Sequence, residues 1–200
     1  MERFLPRIHS LYARMDEACA LAAVEHDFLC TGCEDTCCAT LFFHHTLAEC
    51  LVLWAGIRDL PADVREQLLA RASRVREAEA ARGSGSGPFR EPCPALVQGR
   101  CLVYAHRPMV CRLHGMAHAM TLPDGSCRTG PGCSLYEQRV AEFEHRPAPL
   151  DRTPLYQDLA ALEREIRAEA GFSGRIRLTV AGILADPPDF SRGKGLEEAS

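Results

Sequence analysis

The sequence predicts a mainly α-helical fold with a small β hairpin, in which metal-stapled, cysteine-rich loops join two helical halves. Three observations predict it. Apolar residues recur every three or four positions along several stretches, which is the helical period. Only one short segment reads as two strands about a tight turn. Most of the eleven cysteines gather in two groups: Cys30, Cys33, Cys37 and Cys38, then Cys93, Cys101, Cys111, Cys127 and Cys133.

Composition bounds the function classes. Of the 200 residues, 46% are hydrophobic and 25% charged, as in an ordinary globular protein. The net charge of −4 offers no basic surface for nucleic acid. No apolar run approaches the roughly 20 residues of a membrane helix. The opening Met-Glu-Arg-Phe-Leu-Pro-Arg has no apolar signal core, so a cytoplasmic location is expected. An odd number of thiols in a reducing compartment argues against a disulfide framework and for metal ligands.

Taken in order, the first helix is expected from 6 to about 29. Ile8, Leu11, Tyr12, Met15, Cys19 and Ala22 line one face, and Pro6 sits in the first turn, where no amide bond is lost. Cys19 reads as a small buried hydrophobe. A metal turn over 30–38 follows, with Gly32 able to take the bend. The next helix spans 47 to 57 with Leu47, Cys50, Leu51, Trp54 and Ile57 as its stripe, and Cys50 again reads as core. Pro61 opens a third helix whose buried edge is Val64, Leu68, Ala72 and Val75.

The Gly-Ser run at 83–88 is a flexible linker by composition. It lies inside a single expected domain, 1–185, because ligands from both sides would close it into one unit. Ala95 to Val97 and Cys101 to Tyr104 flank Gly99 as a hairpin, and Pro123-Asp124-Gly125 is a further turn. Large apolar residues are few between 93 and 133, so metal binding would supply ordering free energy there. Thr153 and Pro154 open a last helix carrying Leu155, Leu159, Leu162 and Ile166, ended near Gly171. Alternation of Ile176, Leu178 and Val180 with Arg175, Arg177 and Thr179 predicts a strand. The tail, 186–200, reads as disordered.

Thiolates are soft anionic ligands, suited to zinc or an iron–sulfur cluster rather than magnesium or calcium. Either a tetrahedral zinc or a cubane (4Fe-4S) cluster takes about four of them. Cys30 and Cys33 can grip from one turn. Cys37 and Cys38 are neighbours whose side chains diverge, so one can complete a site while the other faces elsewhere. Nine cysteines allow two sites with one thiol over, or one site with several structural thiols. Arg107 and Arg112 flank Cys111 and would offset the negative charge of the sulfurs, with Pro108 fixing the turn. His44, His45, His106, His114 and His118 are alternative ligands, with His44 and His45 the nearest contenders. Hydrogen-bonded or capping histidines explain each of them without metal. A nucleophilic cysteine would need an activating base, and nothing in the pattern singles one out of eleven.

The Cys30–Cys38 run resembles the cysteine-cluster family (YkgJ-like) of zinc- or iron-chelating proteins, named for a CxxCxxCC motif. Cys101-Leu-Val-Tyr-Ala-His-Arg107-Pro108-Met-Val-Cys111-Arg112 is similar to that family's second signature, and Cys93, Cys127 and Cys133 to further family cysteines. The resemblance covers roughly residues 30 to 133. Three residues separate Cys33 from Cys37 where the family name implies two, which leaves the ligand set open. The resemblance implies a cysteine-ligated centre. An iron–sulfur cluster in a redox or metal-handling accessory role is preferred, because of the excess thiols and flanking arginines. The alternatives are a structural-zinc (Zn2+) interaction module and an iron–sulfur enzyme of protein modification by methyl transfer. A flagellin lysine N-methylase is a larger relative of that last kind, but no Gly-rich motif for its methyl donor stands here. The partner implied is the metal or cluster itself; a protein partner of unknown identity stays open, and neither nucleic acid nor membrane is expected.

Overall fold

A computed structural model describes residues 1–30, 37–82 and 91–186, with Cys37 described by its backbone alone. The expected linker at 83–88, positions 31–36 of the metal turn, and all but the first residue of the expected tail lie outside the described residues. The architecture is mainly α with two small sheets. No helix is long and apolar enough to cross a membrane among the described residues. The chain divides into two compact units. Among the described residues, the first holds 1–5, 38–82, 91–108 and 163–186, and the second holds 6–30, 37 and 109–162.

In the first unit, α2 (Leu47–Arg58) is buried almost all round, from Leu47 to Ile57 with Trp54 half-buried. The single stripe expected from its sequence is therefore too narrow, because neighbours cover it on several sides. α3 is Ala62–Ala81, with Pro61 as its N-cap; Leu68 and Ala72 are buried, whereas Val64 and Val75 are half-buried. α7 (Val180–Ala185) packs on α3. Cys50, Leu53, Ile57, Leu68, Ala72, Ala95, Val103, Ile183 and Leu184 form the core. The first hairpin pairs Leu96–Val97 (β1) with Arg100–Cys101 (β2). Gln98 and Gly99 both take positive φ, 49° and 76°, as the twist-matched two-residue turn demands. The strands are shorter than predicted: Tyr104 belongs to a 3-10 turn, Tyr104–His106. The His106 ring lies against Gly56, where an added Cβ would stand 2.4 Å from the ring.

The predicted strand at 175–180 does not form. Leu178 makes one antiparallel bridge to His44, and Thr179 instead N-caps α7, its Oγ1 accepting the Gly182 N–H at 3.0 Å. Capping competes with extension at a threonine, and here it wins.

The second unit contains most of α1 (Leu5–Glu25), which buries Ile8, Leu11, Tyr12, Met15 and Ala22 as the stripe predicted. It ends before 29, with Asp27 at φ 43°. A short α4 (Met109–Leu113) leads to the second hairpin, His118–Thr121 (β3) with Cys127–Gly130 (β4). Its turn is set by Asp124, whose Oδ1 accepts from the Ser126 amide at 2.9 Å and hydroxyl at 2.6 Å. α5 (Ser134–Val140) follows, and then β5 (Leu150–Asp151) pairs parallel to β3, giving the order β4-β3-β5. Neither the sheet nor α5 was expected. Ala22, Met116, Ala117, Tyr136 and Val140 form the core, with Tyr136 Oη 2.9 Å from His26 Nδ1. α6 (Thr153–Ala170) buries Leu155, Leu159, Leu162 and Ile166 as predicted, and ends at Gly171 with φ 62°. Its residues 153–162 belong to the second unit and 163–170 to the first.

Candidate metal centre

Three predicted ligands share one neighbourhood of the first unit. The Cys93 N–H donates to the Cys38 carbonyl at 2.7 Å, so main chain alone ties the first cysteine group to the second. The Cys93 carbonyl accepts the Leu96 N–H at 2.9 Å, and Leu96 stands opposite Cys101 across the hairpin. Cys93 and Cys101 also pack against the core around Cys50 and Leu53. All three candidate thiols are half-buried.

The other predicted ligands are placed differently. Cys111 is half-buried in α4, Cys133 is the half-buried residue before α5, and Cys30 and Cys127 are exposed. The Cys133 N–H donates to the Gly115 carbonyl at 2.9 Å, and Cys127 stands opposite Thr121 at the end of the second hairpin. Cys33 and the Cys37 side chain lie outside the described residues. Among the described residues no three His, Cys, Asp or Glu side chains converge closely enough to hold a metal ion. None of Cys19, Cys30, Cys38, Cys50, Cys93, Cys101, Cys111, Cys127 and Cys133 is in a disulfide. The candidate donors are thus free thiols, whose softness would fit zinc or an iron–sulfur cluster.

The two cysteines read as core divide. Cys50 is fully buried, and burial pushes its thiol far above the ordinary range. Cys19 is only half-buried, and its Sγ donates to the Arg112 carbonyl at 3.5 Å. Arg112 is buried, pairs with the Asp16 carboxylate and lies over the Tyr12 ring at 4.4 Å. Arg107 stacks on Tyr104 at 3.8 Å. Cation–π contacts of this kind fix a guanidinium's position.

Two of the candidate histidines have ring hydrogen-bond partners in the fold. His44 Nδ1 is 3.2 Å from Glu49 Oε1, and its buried Nε2 has no hydrogen-bond partner among the described residues. His45 Nδ1 is 3.0 Å from the Ile176 carbonyl. His114 follows α4 and His118 opens β3, so they share no helix face. Burial, then the charge of Arg152, pushes both below the usual imidazole range.

The sequence reading missed the carboxylates at the head of α2. Thr46 Oγ1 accepts the Glu49 N–H at 3.1 Å, and Glu49 Oε2 accepts from Thr46 Oγ1 at 2.8 Å and from the His45 N–H at 3.1 Å. Glu163 accepts from the Leu47 and Ala48 amides at 2.9 and 3.1 Å. The Thr46-x-x-Glu49 spacing is the signal that announces such a cap. Burial alone would raise the Glu49 carboxyl, but bonds from His44, Thr46 and the His45 amide hold it below its ordinary value. Burial dominates at Glu163 and raises its carboxyl.

Comparison with known families places this cysteine pattern. The model described as CxxCxxCC, a putative zinc- or iron-chelating domain, matches residues 29–128, half of the chain. The matched span takes in the Cys30–Cys38 run, the first hairpin, α4 and Cys127, and stops before Cys133. Comparisons with curated proteins and with solved structures give no match. The chain belongs to the CxxCxxCC family of zinc- or iron-chelating domains.

Proposed function

We propose that this protein carries a cysteine-ligated iron–sulfur cluster and serves in a redox or metal-handling accessory role. The observation that carries the reading is the 2.7 Å hydrogen bond from the Cys93 amide to the Cys38 carbonyl, with Cys101 across the adjoining hairpin. It supports the reading by tying Cys38 to Cys93 through the main chain. Cys30, Cys33, Cys37, Cys38, Cys93, Cys101, Cys111, Cys127 and Cys133 are the pool from which the ligands come. Thiols in excess of one four-ligand site, and two guanidiniums flanking Cys111, favour a cluster over a single zinc ion. When bound, a cluster supplies one-electron redox chemistry. The chain's own part is to hold Cys93 and Cys101 half out of water and to place cationic Arg107 and Arg112 beside Cys111 in sequence.

Anaerobically purified protein is expected to be brown, with broad visible absorbance that bleaches on reduction and is lost in Cys93→Ser. A colourless protein under strictly anaerobic preparation would sink the cluster reading and leave structural zinc. Saturable binding of S-adenosylmethionine would instead favour a methyl-transfer enzyme.

A further inference from the structure

Arg71, half-buried on α3, is a cation that the reading above leaves unused. Its neighbours three and four residues away along the helix are Gln67, Leu68, Arg74 and Val75, so α3 offers it no carboxylate. Nearby arginines do find partners: Arg58 pairs with Glu2, and Arg76 with Glu79. Arg71 forms no ion pair among the described residues. Its Nε instead donates to the Pro94 carbonyl at 3.0 Å, and its Nη2 is buried with no hydrogen-bond partner among the described residues. A buried N–H with no acceptor costs free energy comparable to a lost hydrogen bond.

The packing around Arg71 says which part of the chain this nitrogen borders. Leu68 and Ala72, just before and just after Arg71 along α3, lie in the same buried core as Ala95, and Cys93 and Cys101 pack against that core. The guanidinium therefore meets the 93–95 segment from a helix that is fixed to it. Nε and Nη2 present their hydrogens along one edge of the planar fork. With the Nε hydrogen spent on Pro94, the Nη2 hydrogen beside it lies on the same side of the guanidinium as the Pro94 carbonyl. Cys93 adjoins Pro94, its amide is bonded to the Cys38 carbonyl at 2.7 Å, and its carbonyl receives the amide of Leu96, which stands opposite Cys101. A cationic donor with a hydrogen to give thus borders the segment where the two cysteine groups are tied. The arginines that flank Cys111 are engaged with aromatic rings, Arg107 over Tyr104 and Arg112 over Tyr12.

We propose that Arg71 is the residue that sets the potential of the cysteine-ligated centre, giving its Nη2 hydrogen to an anionic sulfur of the bound cluster, whether thiolate or inorganic sulfide. The Nε bond to the Pro94 carbonyl holds the fork in place for that contact. This rests on the cluster reading above and adds the group that tunes it. A reduced cluster carries one more negative charge than the oxidised one, so a cationic N–H favours the reduced form and raises the potential. An ammonium at this position would keep the charge but lack the fork that serves a carbonyl and a sulfur from one edge.

The test is the midpoint potential of the full chain purified without oxygen, read by redox titration of the visible band. Arg71→Met should cut the ratio of reduced to oxidised cluster at a fixed potential about tenfold. For one electron that is a fall of about 59 mV. Arg71→Lys should fall by less than Arg71→Met and still lie below wild type. Arg74→Met makes the same charge change at an exposed position of α3 and should leave the potential where it is. A merely structural bond to Pro94 would lower stability and cluster yield without moving the potential. An unmoved potential in a folded, cluster-bearing Arg71→Met protein, or an equal shift in Arg74→Met, would therefore overturn the proposal. If Arg71→Met does not assemble, Arg71→Lys decides, and a potential equal to wild type overturns it. A colourless wild-type protein removes the cluster reading and this proposal with it, whereas a brown protein with an unmoved potential removes this proposal alone.

Discussion

The two hairpins carry cysteines in opposite circumstances. The first, Leu96–Val97 with Arg100–Cys101, rests on the core of its unit, and its Cys101 is half-buried. The second, His118–Thr121 with Cys127–Gly130, keeps its register by main-chain pairing and a parallel third strand, and its Cys127 is exposed. The same residue type in one family pattern can thus be anchored or peripheral. What separates the cases is the apolar packing behind the thiol: a position fixed by buried neighbours costs little further entropy when a metal binds.

That contrast can be broken most directly at the anchored end. Cys93→Ser and Cys101→Ser are expected to lose the bound metal altogether and, with it, much of the ordering energy of the loops, read by metal analysis and thermal melting. Retention of full metal content by both variants would erase the distinction. Next in size is the support beneath them. Leu68→Ala opens a cavity in the fully buried core of the first unit and is expected to cost about 2–5 kcal/mol in denaturant unfolding, with weakened metal retention. Gly56→Ala puts a methyl group into the His106 ring and should cost about 1–3 kcal/mol, since the turn just beyond the first hairpin must shift.

The buried carboxylates sharpen the comparison through pH. Glu49 has a lowered folded value, so its contribution is present above its unfolded value and is lost as pH falls through the folded one. Glu163 has a raised value, so its charged form is disfavoured in the fold and stability is gained as pH falls through that value. Glu49→Gln should therefore flatten the acid-side loss of stability, whereas Glu163→Gln should steepen the net loss by removing the opposing gain. Matching pH curves for the two variants would contradict the opposite signs. The smallest effect is expected at the peripheral hairpin: Cys127→Ser should leave metal content unchanged and stability within about 0.5 kcal/mol.

Much of this was legible in the sequence where local pattern decides. The stripes of α1 and α6, the two-residue turn at Gln98 and Gly99, and the stop at Gly171 follow from period and backbone conformation. The pairing of β3 with β5 was not legible, because it joins segments some thirty residues apart whose own patterns are weak. The strand misread at 175–180 alternates correctly in its side chains, yet Thr179 spends its hydroxyl on a helix cap. At the candidate site, the cysteine groups were evident from spacing alone. The meeting of Cys38 with Cys93 is a main-chain contact that no spacing encodes. The burial of Arg152 is likewise a product of tertiary packing that no local pattern announces.

The most direct measurement is the iron, acid-labile sulfide and zinc content of protein purified without exposure to oxygen. Iron and sulfide in comparable amounts, lost together in Cys93→Ser, are the predicted result. Stoichiometric zinc with no sulfide, in protein never exposed to air or chelator, would contradict it.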